Sequence, residues 1–384
     1  MQPHPANATE FCGQTLDLVA LEDEAFAVSA EAGVLFHLNT TARHVLEAAS
    51  SGASFSDISK SVAEAHDLSP EQVLEDITAL TSGLEQGVQK ALAHSAGTTD
   101  SAPPLQAPVH SATYASFGRH ISITYPNQEM AAICHPPLAP FQVGSSAGDD
   151  LIADLKENQD HYCVRCGLAE VHIEKSPGAL MTALQRAILC HDVPEPGLFN
   201  VVVHAGSVVG GKGAWLVGGA SGRGKSTLVT ALDVLGFPVL SDDLIPLDLD
   251  RKLAFPMPLG LSLKEAGWET ALRLRPDIAN IEPVVSASGK KTRFAKPLHP
   301  ACDKDRKGHQ IAGLLLPQRR SGATPELTPM SLKEAMVGLC DRFGRFPLDP
   351  ADLERLIGLL EHLPRYRLTY GEVDDILPAL CDRL

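Results

Sequence analysis

In the first quarter of the chain, the spacing of apolar and polar residues is first typical of strands and then typical of helices. Three segments have the composition and length of short strands: residues 16–21, 24–29 and 34–38. Asn39 can cap a helix with apolar residues three or four apart, and residues 56–66 repeat that spacing. A third helix begins at Ser69, because serine, proline and glutamine occupy its cap, first and third positions. The pattern predicts a small winged-helix-like α+β module over residues 12–92.

The rest of the chain begins with a different composition. Residues 93–109 are small, polar and proline-rich, which is typical of a linker, and residues 110–384 form a larger region. Within that region, residues 214–217 are an apolar run suited to a buried strand. Residues 227–232 read as a helix, and Gly236 suits its C-terminal stop. A strand, a short connection and a helix in this order predict an α/β domain.

The connection between that strand and that helix has the most specific motif in the chain. Residues 219–226 read Gly-Ala-Ser-Gly-Arg-Gly-Lys-Ser and match the phosphate-binding pattern G-x-x-x-x-G-K-[ST]. Small residues let backbone N–H groups turn towards phosphate oxygens, and the following helix directs its positive end at the same anions. The predicted nucleotide-binding residues are Gly219, Ser221, Gly222, Arg223, Gly224, Lys225, Ser226 and Thr227.

An acidic pair follows the next predicted strand. Val239 and Leu240 are apolar, and Asp242 and Asp243 come shortly after them. Successive strand residues face opposite ways, so one carboxylate can point to a magnesium ion and the other to an acceptor hydroxyl, if the strand ends beside the phosphate loop. The alternative is a turn in which one aspartate caps backbone N–H groups.

Composition narrows the classes of partner. The 384-residue chain has a net charge of −15 and 5% aromatic residues, which argues against a nucleic-acid partner because phosphates would be repelled and bases would lack stacking platforms. No apolar run has the length of a membrane span, and the first residues lack the features of a signal peptide. The eight scattered cysteines favour a reduced, cytoplasmic setting. A single C-x-x-C at 163–166 has no second pair to complete a zinc site.

The first module resembles the PqqD family of peptide-recognition modules. The resemblance lies in residues 35–42, which read Leu-Phe-His-Leu-Asn-Thr-Thr-Ala, in residues 58–62, and loosely in residues 80–88. Members of that family bind the leader peptide of a ribosomally made precursor as a strand added beside their sheet. The resemblance therefore implies a precursor-peptide partner. The alternatives are DNA contact, which the acidic third helix argues against, and a structural or dimerising role.

The larger region resembles the HPr kinase/phosphorylase superfamily. An apolar run at 199–203 ends in His204, the phosphate loop follows, and residues 240–243 read Leu-Ser-Asp-Asp. A lone histidine at a strand end is most often structural, and the order of the three motifs singles this one out. The resemblance continues through residues 251–263 and weakly through 364–371.

That resemblance implies a role for each matching residue. Lys225 would hold the outer phosphates of ATP, and Ser226 and Asp243 would bind Mg²⁺. Asp242 would act as the base towards the acceptor hydroxyl, with His204 beside the pair, although the two aspartates could exchange roles. The related kinases assemble as oligomers, so a homo-oligomer is expected by analogy alone.

Parts of the larger region depart from that family or leave alternatives open. The family's acidic metal ligand and glycine-asparagine stretch after the aspartates are missing, which puts phosphorolysis and HPr itself in doubt. Lys264 stands nearby and is either a phosphate or acceptor contact or a solvated lysine. Residues 290–293 read Lys-Lys-Thr-Arg, and are either a charged loop or an arm for transferred phosphate or an acidic peptide. The prolines within 136–140 predict a loop.

Together these features predict an HPr-kinase-like α/β domain preceded by a PqqD-like module. The expected function is ATP- and Mg²⁺-dependent phosphorylation of a hydroxyl, with serine as the expected acceptor, on a precursor peptide held by the first module. One alternative is a nucleotide-gated peptide chaperone without chemistry. Another is a kinase for a carboxylate or a small molecule.

Overall fold

The computed structural model of the chain has two compact units. The first comprises residues within 1–96 and 343–358, and the second comprises residues within 97–342 and 359–384. The described residues are 7–11, 14–29, 32, 34–95, 110–116, 119–144, 151–157, 161–166, 169–191, 199–220, 222–286, 289–301, 307–340, 349–380 and 384. Among the described helices, none combines the length and apolar character that crossing a bilayer requires.

The first unit is built on a four-stranded antiparallel sheet. Its strands pair in chain order and are β1 (Asn7–Phe11), β2 (Gln14–Leu21), β3 (Glu24–Ser29) and β4 (Val34–Leu38). Three helices follow, namely α1 (Thr40–Ser50), α2 (Phe55–His66) and α3 (Pro70–Ser95). The three strands and three helices expected from the sequence are confirmed, and β1 is an additional strand at the edge.

The predicted helix starts of this unit are also confirmed. The Asn39 side chain accepts a hydrogen bond from the Ala42 N–H at 2.8 Å and caps α1. Every residue of β3 is buried. The predicted linker, in contrast, begins three residues too early in the chain, because residues 93–95 belong to α3. Its small residues include alanines, which favour helix as strongly as any residue does. Residues 96–109 lie outside the described part of the chain.

The second unit begins with a six-stranded sheet. Its strands are β5 (His110–Ser116), β6 (Arg119–Tyr125), β7 (Gln142–Val143), β8 (Leu151–Glu157), β9 (His161–Cys166) and β10 (Ala169–Glu174). They lie in the order β10-β9-β8-β6-β5-β7, with α4 (Gln128–Leu138) and α5 (Pro177–His191) packed in the same unit. Pro136 and Pro137 stand in the last turn of α4, so the predicted loop begins about one turn early. Their missing N–H groups end the helix without preventing its final turn.

Twelve further strands and five helices complete the described part of the chain, and all lie in the second unit except one helix, of which residues 350–358 belong to the first. The strands are β11 (Val201–Val203), β12 (Gly206–Gly210), β13 (Gly213–Val217), β14 (Val239–Ser241), β15 (Ile245–Asp248), β16 (Leu253–Ala254), β17 (Leu261–Lys264), β18 (Val284–Val285), β19 (Lys291–Ala295), β20 (His309–Arg319), β21 (Glu326–Pro329) and β22 (Arg365–Tyr370). The helices are α6 (Lys225–Val234), α7 (Trp268–Leu274), α8 (Leu332–Cys340), α9 (Pro350–Glu361) and α10 (Leu377–Leu380).

Nine of these strands form one sheet whose centre is mostly buried. Its main path is β11-β15-β16-β20-β13-β12-β14, and β22 pairs with both β20 and β21. Strands β13, β20 and β22 are parallel neighbours, and β14 runs in their direction because both β13 and β14 are antiparallel to β12. The carboxyl ends of four strands therefore lie along the same edge of the sheet, where open α/β sheets bind their ligands.

A small three-stranded sheet lies beside that edge. Its order is β17-β19-β18, with both pairs antiparallel. Leu261 and Leu263 of β17 belong to the same apolar core as Leu228, Leu232 and other buried residues of α6. The small sheet is thus fixed against the helix that follows the phosphate loop.

Candidate functional site

The phosphate loop connects β13 to α6, as the sequence predicts. Gly222 and Gly224 have φ angles of 85° and 95°, in the left-handed region that a side chain disfavours. Gly224 is the N-cap of α6 and no side chain caps the helix there. The first N–H groups of α6 thus have no side-chain acceptor at the loop, which is the arrangement by which a helix end can accept an anion.

Lys225 is held inside this loop. Its side chain is buried, and its Nζ donates to the carbonyl of Gly219 at 2.5 Å and to that of Ala220 at 3.3 Å. The ammonium group therefore lies where the loop closes on itself. Gly219, which the sequence predicted as a nucleotide-binding residue, accepts the Lys225 hydrogen bond through its carbonyl. It does not line the cavity described below. Ser221 lies outside the described residues.

The acidic pair stands directly after β14, at the same edge of the sheet. Asp242 is 2% exposed, and its Oδ2 accepts a hydrogen bond from the Ser262 N–H of β17 at 2.8 Å. Its Oδ1 is buried and has no hydrogen-bond partner. The carboxylate is thus buried with one of its two oxygens unpartnered, which is unfavourable for an ionised group.

The pKa of Asp242 is raised to about 7, and burial is the largest cause. The neighbouring charge of Asp243 raises it further, whereas the Ser262 N–H, the Ser226 hydroxyl and the Lys225 ammonium favour the ionised form and lower it. The proximity of Ser226 matters because it joins this carboxylate to the phosphate loop. The turn interpretation of the sequence is met in one respect, because Asp242 accepts a backbone N–H, but that N–H belongs to Ser262 of β17 and not to the turn itself.

Asp243 has a different environment. Its side chain is 29% exposed, and its Oδ1 lies 3.1 Å from Nδ1 of His204, which follows β11. His204 is 9% exposed and faces the same cavity. The histidine and the second aspartate therefore form a pair, beside but separate from the contact of the first aspartate with Ser226.

These groups surround one cavity of about 710 Å³. Its lining includes the predicted residues His204, Gly222, Arg223, Gly224, Lys225, Ser226, Thr227, Asp242 and Asp243. It also includes residues that the sequence left open, namely Lys264, Lys290 and Lys291. A nucleoside triphosphate with part of an acceptor fits a space of this size.

One wall of the cavity was not expected from the sequence. Gln318 and Arg319 end β20, and Tyr370 ends β22, on the side of the phosphate loop away from β14. The Tyr370 hydroxyl is buried without a hydrogen-bond partner, and a Cβ atom placed on Gly224 would lie 3.0 Å from it. Polar residues directly after the apolar run of β20 were the one available indication of this wall.

The basic run at 290–293 is neither a loop nor a free arm. Residues from Lys291 onwards form β19, and the Arg293 guanidinium donates to the carbonyls of Ile278 and Ala279 at 2.7 Å each and stacks over Trp268. Arg293 thus anchors the strand. Lys290 and Lys291 face the cavity.

No protein-family model matches the chain, and a search of curated proteins found no match either. The interpretation of the site therefore depends on its geometry.

Proposed function

We propose that the protein is an ATP- and Mg²⁺-dependent kinase that phosphorylates a hydroxyl, that of serine, on a ribosomally made precursor peptide. The observation that carries the proposal is the buried carboxylate of Asp242 at the phosphate loop, next to a second, accessible carboxylate in one cavity. Phosphoryl transfer needs positioned phosphates, a metal and a group that orients the acceptor, and little else from the protein.

The sequence left open which aspartate binds Mg²⁺ and which acts as the base. The environments of the two side chains support Asp242 as the metal ligand and Asp243 as the base. Asp242 contacts the Ser226 hydroxyl and has an orphaned Oδ1, so Ser226 and Asp242 are the oxygen donors best suited to hold Mg²⁺. The described residues contain no cluster of three acidic, histidine or cysteine side chains that could hold a metal ion alone. Mg²⁺ commonly takes one or two protein oxygens and completes its shell with phosphates and water. When bound, the ion would neutralise charge on the transferred phosphoryl group.

Asp243 and His204 would then act on the acceptor. Asp243 is accessible from the cavity, and His204 lies 3.1 Å from it. In the proposed reaction the acceptor oxygen forms a bond to the γ-phosphorus, the bond to the β-phosphate oxygen breaks, and ADP leaves. Asp243 accepts the hydroxyl proton, and Lys225 stabilises the charge on the phosphates.

The outer strand of the first unit's sheet supports the proposal of a peptide partner. Strand β4 is an outer strand of its sheet, and it lies against α3 through the ring of Phe36, which a Cβ on Gly87 would approach to 2.7 Å. The exposed main chain of an outer strand can pair with an added peptide strand, and neighbouring side chains can select its sequence.

The test is the Lys225→Ala variant with Lys212→Ala as its matched control, because Lys212 is an exposed lysine in a turn. Mg·ATP affinity is measured by calorimetry, and the mass of a short precursor peptide encoded beside this gene is measured after incubation. We expect the unaltered protein and Lys212→Ala to add one phosphoryl group. Lys225→Ala should lose transfer, because it lacks the ammonium group that holds the phosphates.

Peptide binding separates this proposal from a chaperone. Lys225→Ala should still bind the precursor peptide, since β4 and α3 are unchanged. If ATP changes the peptide affinity of the unaltered protein and no product gains mass, the kinase proposal is wrong. Transfer to a small molecule with no affinity for the peptide would contradict the peptide part of the proposal.

A further inference from the structure

Three lysines of the cavity have no role in the proposed reaction. Lys264 ends β17, Lys291 begins β19, and Lys290 precedes it, so all three belong to the small three-stranded sheet and its turn. Within the described part of the chain, none of their ammonium groups has an ion-pair or hydrogen-bond partner. Lys264 is half-buried, and the other two are exposed.

The backbone holds these lysines in place. The Lys290 carbonyl accepts hydrogen bonds from the Ser286 N–H at 2.9 Å and from the Thr292 hydroxyl at 3.0 Å. Lys264 is opposite Thr292 in the β17–β19 register. Together with the anchored Arg293, these contacts give the three charges a fixed scaffold, and only their side chains remain to be ordered by a ligand.

Their position is next to the carboxylates. The same strand, β17, donates the Ser262 N–H to Asp242, and Lys264 follows two residues later on the same face of the strand. The phosphate loop has its own cations in Arg223 and Lys225, and Arg319, the last residue of β20, lies on the opposite wall of the cavity. The three lysines of the small sheet are therefore additional to the cations that would bind the nucleotide phosphates.

The overall charge makes this cluster informative. The chain has 47 acidic residues and 32 lysines and arginines, so an anionic acceptor would be repelled by most of its surface. A neutral acceptor would gain nothing from three unpaired ammonium groups beside its hydroxyl. A local positive field raises the rate and the affinity with which an anionic ligand reaches a cleft.

We propose that the small sheet binds an anionic group of the acceptor, a carboxylate or a phosphate, close to the hydroxyl that is phosphorylated. Lys290 and Lys291 contact that group, and Lys264 contributes to the same field from β17. The inference rests on the proposed kinase function and adds a substrate class to it. Acceptors of this kind are hydroxyl residues flanked by acidic or already phosphorylated residues.

The test compares four labelled serine peptides of equal length, with flanking glutamines, glutamates, phosphothreonines or lysines. Their binding to the full chain saturated with Mg²⁺ and a non-hydrolysable ATP analogue is measured by fluorescence anisotropy. We expect the glutamate or the phosphothreonine peptide to bind about tenfold more tightly than the glutamine peptide, and to lose that advantage as salt rises. The better of the two identifies carboxylate or phosphate as the ligand.

Charge reversal provides the decisive comparison. Lys290→Glu/Lys291→Glu should remove the advantage of the anionic peptides and favour the lysine peptide. The control Lys60→Glu/Lys212→Glu makes the same change in net charge at two exposed lysines outside the cavity and should keep the original order.

Several outcomes would overturn the inference. They are equal binding of the anionic and neutral peptides, an unchanged order in Lys290→Glu/Lys291→Glu, or a loss of Mg·ATP affinity in that variant without any effect on peptides. Transfer to the same peptides is followed by mass. A charge preference without transfer contradicts the kinase and leaves the anion site, whereas transfer without a preference contradicts the anion site alone.

Discussion

Two buried aspartates lie close to helix α6, and their surroundings differ. Asp233, in the last turn of α6, is fully buried and accepts hydrogen bonds from the Leu298 N–H at 2.8 Å, the His299 N–H at 2.9 Å and the Arg275 guanidinium at 3.3 Å. Asp242 is almost as buried and accepts one backbone hydrogen bond, with its Oδ1 unpartnered.

The difference is between a carboxylate whose hydrogen bonds are complete and one with an oxygen left open to a ligand. Both oxygens of Asp233 have partners and a buried cation balances its charge, so the group stabilises the loop that carries Leu298 and His299. Asp242 has the Lys225 ammonium nearby, but one of its oxygens has no hydrogen-bond partner, and the protein retains this buried carboxylate at the phosphate loop despite the free energy it costs. An incompletely satisfied buried charge is typical of a site that awaits a ligand.

The largest expected effect is the loss of stability in Asp233→Asn. The change removes the buried counter-charge of Arg275 and leaves it only the exposed carboxylate of Asp277, so the free energy of unfolding should fall by about 3–5 kcal/mol. Urea denaturation followed by tryptophan fluorescence measures it, because both tryptophans, Trp215 and Trp268, lie in the second unit.

The control for that variant is Asp277→Asn. Asp277 also pairs with Arg275 but is 57% exposed, so its removal should cost less than about 1 kcal/mol. If Asp233→Asn and Asp277→Asn lose the same free energy of unfolding, the burial of Asp233 does not make it more important to stability than the exposed Asp277.

Asp242→Asn should have the opposite effect on stability. The folded pKa of Asp242 is about 7, above the usual value of 3.8. The unfolded chain therefore releases this proton at lower pH, and stability from the neutral carboxyl is complete below about pH 4 and is lost as pH rises through 7. The pKa difference corresponds to about 4 kcal/mol.

The free energy of unfolding of Asp242→Asn should exceed that of the unaltered protein by about 2 kcal/mol above pH 7, since the new amide also lacks one hydrogen-bond partner. The rate of transfer should fall at least about 100-fold.

The matched control here is Asp243→Asn. Because Asp243 is partly exposed, its stability should change by less than about 0.5 kcal/mol, while transfer falls. Unfolding curves recorded from pH 4 to pH 8 measure both variants. A dependence of stability on pH in Asp242→Asn that parallels that of the unaltered protein would contradict the raised pKa of Asp242.

The local parts of this comparison could be predicted from the sequence. The phosphate loop, the strand before it, the start of α6 and the acidic pair after β14 each depend on neighbouring residues, so periodicity and spacing were sufficient. The helices of the first unit were predictable for the same reason, with Asn39 and Ser69 as caps.

The remaining features depend on residues that are distant in the chain. Asp242 reads as part of a polar turn, and its burial arises because β17 covers it with the Ser262 N–H, 20 residues later. Tyr370 reaches the loop because β22 pairs in parallel with β20, which no local pattern specifies. Parallel pairing of distant strands is the part of a fold that single-sequence patterns specify least.

The smallest expected effect concerns Tyr370, which like Asp242 has a buried polar atom without a partner. Its hydroxyl lies beside Gly224 at the carboxyl end of β22, where a phosphate or ribose oxygen of a bound nucleotide can accept its hydrogen bond. Tyr370→Phe should therefore weaken Mg·ATP binding by about fivefold, near 1 kcal/mol, and leave the unliganded protein equally or slightly more stable. Calorimetry and thermal unfolding measure the two quantities. Tyr366→Phe, on the same strand but stacked on Trp215 outside the cavity, is the control and should not change Mg·ATP affinity. If both variants bind Mg·ATP equally well, the buried hydroxyl of Tyr370 does not contact the nucleotide. An unpartnered buried polar atom at this edge of the sheet would then not be sufficient evidence of a ligand contact, and the same argument for Asp242 would be weaker.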